Sequence, residues 1–302
     1  MSKPYEIVAL AEPRSEWLEA RRGGIGASDT PKILGLSPYG GALTVAADKK
    51  GLLPDEDNEI LAAGRRLEPV IAEWALEDMG HKSGHPWGFL IRSVEHPHLM
   101  ATPDWVILEE GDIMCPLQIK NTMMASDWDE GVPSHVKVQV LQEIIVMGAP
   151  HGYVAVLLTG NRLRWAKVER DPELEAQILE TTLDFWRDCQ KDEADFAERW
   201  VDGDKATRGA LVLLHPDDNG ETKALGVFLM EEARDLEEKK AEIKVLEKQR
   251  REHENTLIAA LGPATFGTFP DGSGVSFKTT ERKAYPVKAT KFRQLRIAKA
   301  KK

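Results

Sequence analysis

The feature that most constrains the fold is a change of hydrophobic period, repeated along residues 62–200. In "AAGRRLEPVIAEWALEDMG" (62–80), Leu67, Val70, Ile71, Trp74 and Ala75 recur near helical spacing and Gly80 is a stop. Stretches 87–94, 99–108 and 113–120 then read as strands, with "HPH" and "EEGD" between them. Helical spacing returns in the stripe Val136, Val140, Ile144 and Met147, with Gln139 and Glu143 together on the other side. "GYVAVLLTGNRLRWAKVER" (152–170) predicts two strands joined at Gly160-Asn161. Asp171-Pro172 opens a long helix reaching about Trp200. The order helix, three strands, helix, two strands, helix predicts an α/β core over the first two-thirds of the chain.

Upstream, Ser15 is placed to cap a helix that carries Trp17 and Leu18 and reaches Arg21. "GGIGAS" breaks it, Asp29 opens a short helix through Leu34, and a further helix spans 41–50. Downstream, 201–220 reads as a connector with a short apolar patch. A long charged helix follows over about 222–261, with Leu229, Leu236, Ile243 and Leu257 at sevens and Arg250 interrupting. Such a partial heptad predicts packing on its own domain or on one neighbour, not a long coiled coil. Residues 264–302 alternate like a small sheet and then turn basic, with nine Lys or Arg and no acid over 282–302. The expected division is a core domain over 1–205 and an extension over 206–302. The extension either contacts DNA or a partner, or is a solvated charged helix with a loose terminus.

The longest apolar run, "YVAVLL", is far short of a membrane span, and the N-terminus lacks a signal-peptide pattern. Cys115 and Cys189 are isolated and imply no disulfide framework, so the expected compartment is the reducing cytoplasm. A net charge of −10 argues against nucleic-acid binding over the whole surface and leaves room for a local basic groove.

One constellation carries chemistry. Pro103-Asp104 is followed, after a gap, by Gln118-Ile119-Lys120. Phosphodiester hydrolysis by a hard cation needs oxygen ligands, a positioned water and a nearby positive charge. On a strand, residues two apart share a face, so 118 and 120 point together. Ile119 points into the core while its backbone carbonyl stays within reach of a metal. Asp104, read on the adjacent strand, meets them across the hairpin. As letters alone the pattern is weak.

Five blocks in order make it specific. "EWLEARRGGIGASDTPKILGLSPY", "GRRLEPVIAEWALEDMG", "HPHLMATPDWVI", "PLQIKNT" and "VKVQVLQEIIVMG" together resemble the lambda-exonuclease-type, YqaJ-like viral recombinase family of the PD-(D/E)XK nuclease superfamily, over about residues 14–200. The resemblance implies a restriction-endonuclease-like core, a mixed central sheet flanked by helices. It implies metal ligation by Asp104, position 118 and the Ile119 carbonyl, with Glu68 acting through water. Lys120 would assist the attacking water and Gln139 would order the site, unless Gln139 is merely a solvated helix position. Arg21 and Ser28 match positions that grip a terminal 5′ phosphate, which suits a guanidinium beside a Gly-rich turn. The alternatives are a surface arginine, with Arg22 competing, and a capping serine. Trp17 matches a residue at the DNA end that splits the strands, or is an ordinary core tryptophan. The implied activity is Mg2+-dependent, or Mn2+-dependent, 5′→3′ digestion of one strand of linear duplex DNA. The implied partners are DNA ends, a homotrimeric ring of this chain and a single-strand-annealing protein.

The departure is Gln118, where the family pattern carries an acid. A neutral amide is a poorer ligand, and losing one charge stabiliser commonly costs on the order of 10²–10³ in rate. Either the acid has been replaced to mute an enzyme, or the amide is native. A non-catalytic DNA-end-binding scaffold and a PD-(D/E)XK endonuclease are the competing readings.

Overall fold

A computed structural model describes residues 3–281 apart from 55–57, 81–82, 111–112, 192 and 219. The basic tail over 282–302 lies outside the described residues. By backbone contacts the chain divides into two units, Met1–Pro216 and Asp217–Lys302.

The first unit holds two sheets. The larger has five strands in the order β3 (Gly84–Pro86), β6 (Trp105–Glu109), β7 (Ile113–Thr122), β8 (His151–Leu158) and β9 (Arg162–Glu169). Only β7 and β8 run parallel within it. The smaller has the order β1 (Tyr5–Leu10), β4 (Phe89–Ser93), β5 (Leu99–Ala101) and β2 (Ile25–Gly26). Helices flank these sheets, so the mixed α/β core that the periodicity predicts is the one formed.

Each face of the large sheet has its own apolar layer. On one, Ile71, Ala72, Ala75 and Leu76 of α4 (Glu59–Met79) pack on Ile107, Leu117, Ile119, Ala155 and Leu157. On the other, Val136, Val140 and Ile144 of α5 (Ser134–Met147) pack with Val106, Val154, Val156 and Leu158. Alternation on β7 therefore sends Leu117 and Ile119 toward α4 and Gln118 and Lys120 toward α5, the direction of their register partners Val154 and Val156.

Several boundaries differ from expectation. The stretch 99–108 is two strands in different sheets, broken at Thr102-Pro103-Asp104. Pro103, which cannot donate to a ladder, stands at the break. Asp104 thus sits at the parting of the sheets, not within a strand. Ser15 lies inside α1 (Arg14–Arg21), whose N-cap is Pro13. Val70 and Trp74 of α4 are exposed, and Ala72 and Leu76 take their places in the core. The long helix after Asp171 stops at Cys189 as α6 (Pro172–Cys189), and α7 (Glu193–Trp200) folds back on it. Phe185 meets Phe196 and Trp200 edge-on, while Arg199 and Trp200 bond Asp188, which holds the reversal. Residues 205–214, expected within a connector, form α8 with Asp204 as its cap and Ala210 and Leu214 buried.

α5 was expected to show one apolar stripe, yet Gln142 and Glu143 are as buried as Val140 and Ile144. The helix contacts β7 and β8 on one side and β4, β5, α2 (Thr30–Ile33) and α6 on others, so little of it meets water. Gln142 makes use of that position. Its amide donates to the carbonyls of Ile25 (2.8 Å) and Met100 (2.9 Å) and accepts from Thr30, stitching β2, β5 and α2 together.

In the second unit, α9 (Val227–Leu261) carries the predicted long helix and has no buried residue. Ion pairs such as Lys240–Glu237 and Arg250–Glu254 lie along it. β10 (Phe266–Thr268) and β11 (Gly274–Ser276) pair as the predicted small sheet.

Gln142→Leu leaves the Thr30 hydroxyl and two buried carbonyls without their partner. The expected cost is about 2–4 kcal/mol, read as a lower urea midpoint with an unchanged m-value.

Candidate functional site

The break at Pro103 fixes the site. By leaving the strand there, the chain turns the Asp104 carboxylate toward β7, where one oxygen accepts the Ile119 backbone N–H (2.8 Å) and the Gln118 amide. From α5, Gln139 spans the next gap. Its Nε2 donates to Gln118 Oε1 (2.8 Å) and to Glu143 Oε1 (3.3 Å), and its Oε1 accepts from Lys120 Nζ (2.9 Å). Asp104, Gln118, Gln139, Lys120 and Glu143 are thus one connected network. Gln139 is half-buried, not a solvated helix position.

Glu68 approaches from α4. Burial and the Asp104 charge push its carboxyl up to about 7, against the pull of Lys120. Burial likewise raises Asp104, although Lys120, the Ile119 N–H and the Gln118 amide oppose it. Glu143 is raised by burial and by Asp104, with Lys120 and Gln139 opposing. Burial is the largest cause for all three carboxyls, and Lys120 opposes it at each. The available donors are carboxylate, amide and carbonyl oxygens, the set a hard divalent cation takes. A cation among them would supply the charge that Lys120 alone does not.

A second group of residues lies beside this one. Arg21 Nη2 donates to Ser28 Oγ (3.1 Å) and to Asp29, and its Nη1 reaches Asp48 Oδ2 (3.5 Å). Asp29 is buried and also pairs with the buried Lys49 (2.7 Å). Burial would raise the Asp29 carboxyl, but Arg21, Lys49 and Lys32 outweigh it and hold it well below the ordinary carboxylate range. Asp29, expected only as a helix opener, caps α2 with no side-chain bond because its carboxylate is committed to the Gly26 N–H (3.0 Å), Arg21 and Lys49. A Cβ on Gly26 would lie 3.1 Å from Arg21 Nε and 3.2 Å from Asp29 Oδ2, so only glycine leaves that pair its room.

Trp17 is half-buried, not a core residue. Its Nε1 donates to Thr102 (3.2 Å), and the Arg21 guanidinium lies 5.4 Å from its ring centroid. Arg22 instead pairs with the exposed Glu19. The structure therefore brings Arg21, Ser28 and Trp17 together. Ser28, exposed at the turn, lines a cleft of about 310 Å³ with Lys32, Tyr39, Lys120, Gln139 and His135. One cleft thus borders both groups.

Three participants escaped sequence reasoning. Lys49 carried no signal beyond membership of a helix. Asp29 was legible only as a cap. Glu143 was legible as a neighbour of Gln139 one helical turn away, but its burial follows from the packing of α5 between two sheets.

The chain is similar to known proteins over the part that holds these residues. Residues 16–150 match the family model of the YqaJ-like viral recombinase domain. That span contains every residue of both groups. The chain is 34% identical over 196 residues to the uncharacterized protein YqaJ of Bacillus subtilis (strain 168), covering 62% of this chain and 60% of that protein. The match thus spans less than two-thirds of that relative. An alkaline exonuclease from Laribacter hongkongensis aligns with a TM-score of 0.49 and 19% identity, over 65% of this chain and 99% of its own. A phage-related exonuclease from Haemophilus somnus 129PT aligns with a TM-score of 0.41 and 13% identity, over 54% of this chain and 92% of its own.

The raised Glu68 sets a pH dependence. A carboxyl whose folded value exceeds its unfolded one, about 4.3, gives stability that is complete below the unfolded value and lost as pH rises through about 7. Glu68→Gln lacks that loss. In metal-free buffer its melting temperature, compared with that of the unaltered chain, is expected to be relatively higher at pH 8 than at pH 5. A difference independent of pH would contradict the assigned shift.

Proposed function

We propose that this chain is a metal-dependent deoxyribonuclease that digests one strand of linear duplex DNA from its 5′ end. The observation that carries the reading is the shared cleft, in which Ser28 of the Arg21 group faces Lys120 and Gln139 of the carboxylate network. An anion grip beside a carboxylate–lysine site is what a hydrolase of terminal phosphodiesters requires. The match of residues 16–150 to a viral recombinase domain supports a role in recombination. The 3′ single strand left behind would then pass to an annealing protein.

In this reading Asp104, Gln118 and the Ile119 carbonyl hold Mg2+, or Mn2+ in its place, and Glu68 contributes through water. The cation would lower the pKa of an attacking water and offset charge on the phosphoryl oxygens. Lys120, oriented by Gln139, holds that water. Arg21 and Ser28 take the terminal phosphate, and Trp17, stiffened by Arg21 and Thr102, helps split the strands near the DNA end. The Asp29–Lys49 pair behind Arg21 fixes the guanidinium. Removing one partner of such a buried pair costs about 3–5 kcal/mol.

A homotrimeric ring would give the acidic chain a basic bore, and its work would lie in the cytoplasm of a bacterial or phage-infected cell. Residues 206–302 would contact DNA or the annealing protein. Among the described residues no helix is long and apolar enough to cross a membrane.

Gln118 favours a second reading, a DNA-end-binding scaffold without catalysis, because it contributes no charge. Digestion of linear duplex in Mg2+ by this chain and by Gln118→Glu separates the two. The variant is expected to digest linear duplex and spare a closed circle. No digestion by either chain removes the nuclease reading, and equal cutting of circle and line points to an endonuclease. Arg21→Ala is expected to lose the preference for 5′-phosphorylated ends by roughly tenfold or more, since a charge-assisted hydrogen bond contributes about 1.5–3 kcal/mol. Competition between phosphorylated and unphosphorylated duplexes measures it.

A further inference from the structure

We propose that Glu143 supplies the metal-binding carboxylate that position 118 lacks, so that the ligand comes from helix α5 and not from strand β7. The proposal rests on the reading of this site as a metal-dependent nuclease centre and names a ligand that the reading does not contain.

Glu143 is fully buried, and among the described residues its Oε2 has no hydrogen-bond partner. A buried carboxylate oxygen without a partner is costly and rare. Its neighbour on the same helix, Gln142, is also fully buried and has all its bonds made. The orphaned oxygen is therefore not a general consequence of burial on α5.

Position explains it. Glu143 Oε1 and Gln118 Oε1 accept from the same Gln139 Nε2, at 3.3 Å and 2.8 Å. The two side chains thus reach one point from opposite elements. Residues 139 and 143 are one helical turn apart and share a face of α5. That face looks onto the side of β7 that carries Gln118 and Lys120.

The charge count points the same way. With an amide at 118, Glu68, Asp104 and Glu143 remain as three carboxylates around the single Lys120 that pulls on each of them. An acid at 118 as well would make four. Gln118 is then no sign of decay: its Nε2 donates to Asp104, a bond a carboxylate there could not make. The amide holds one ligand in place while the helix brings another.

The test is Mn2+ titration of the full chain by calorimetry, with metal-free melting as a check on folding. Removing even an outer partner of a metal ligand costs roughly 10–100-fold in affinity. Glu143→Gln, which keeps the shape, is therefore expected to weaken Mn2+ binding by roughly 100-fold or more without lowering the metal-free melting temperature. The exchange Gln118→Glu with Glu143→Gln returns a carboxylate to the strand and is expected to recover most of the binding. If Glu143→Gln does not fold, the exchanged pair decides alone. Binding in Glu143→Gln as tight as in the unaltered chain overturns the proposal. So does an exchanged pair that recovers nothing, or an unaltered chain that binds no Mn2+. Loss of binding in Glu143→Gln, beside no DNA digestion by either the unaltered chain or Gln118→Glu, leaves the proposal standing and removes only the nuclease reading.

Discussion

The site depends on one electrostatic condition: carboxyls from three separate elements are held away from water. Glu68 comes from α4, Asp104 from the break before β6, and Glu143 from α5, and Lys120 is the charge that opposes all three. Burial disfavours the charged form, which appears as raised proton affinity, and the Asp104 charge adds to it at Glu68 and Glu143. Only a scaffold with stability to spare can impose it. Here that scaffold is the pair of apolar layers on the two faces of the large sheet, each pressing one acid-bearing helix toward the same sheet end.

The cation grip beside it obeys the opposite rule. Arg21, Lys49 and Lys32 act on the carboxylate of Asp29, which burial alone would neutralise, and Asp48 reaches Arg21 from the other side. That pocket keeps positive charge in excess next to a region where negative charge is in excess. Ser28 and Lys32 from the first and Lys120 and Gln139 from the second line one cleft.

Much of this was legible in the chain. The strand–strand–helix order and the shared face of Gln118 and Lys120 follow from period and turn residues, while Arg21 and Ser28 were marked only by the family resemblance. What was hidden depended on partners remote in sequence. No local pattern says that α5 lies between two sheets, so Glu143 read as a surface acid. The strand over 99–108 looked continuous because apolar residues persist across Pro103, yet the two halves join different sheets. Val70 and Trp74 kept helical spacing and still ended outside, because the contact face of α4 is turned toward Ala72 and Leu76. The reversal between α6 and α7 rests on Phe185, Asp188 and Trp200 meeting in space, which no spacing rule encodes.

The alternation on β7 has a consequence for how such chains diverge. Leu117 and Ile119 face the α4 layer, while Gln118 and Lys120 face the charged network. Adjacent positions therefore answer to different selective pressures. At 117 and 119 descendants are free to trade one aliphatic shape for another of equal volume. At 118 and 120 shape matters less than the sum of charge over strand and helix together. A change of charge at 118 is therefore felt at 143, because the two side chains share the amide of Gln139.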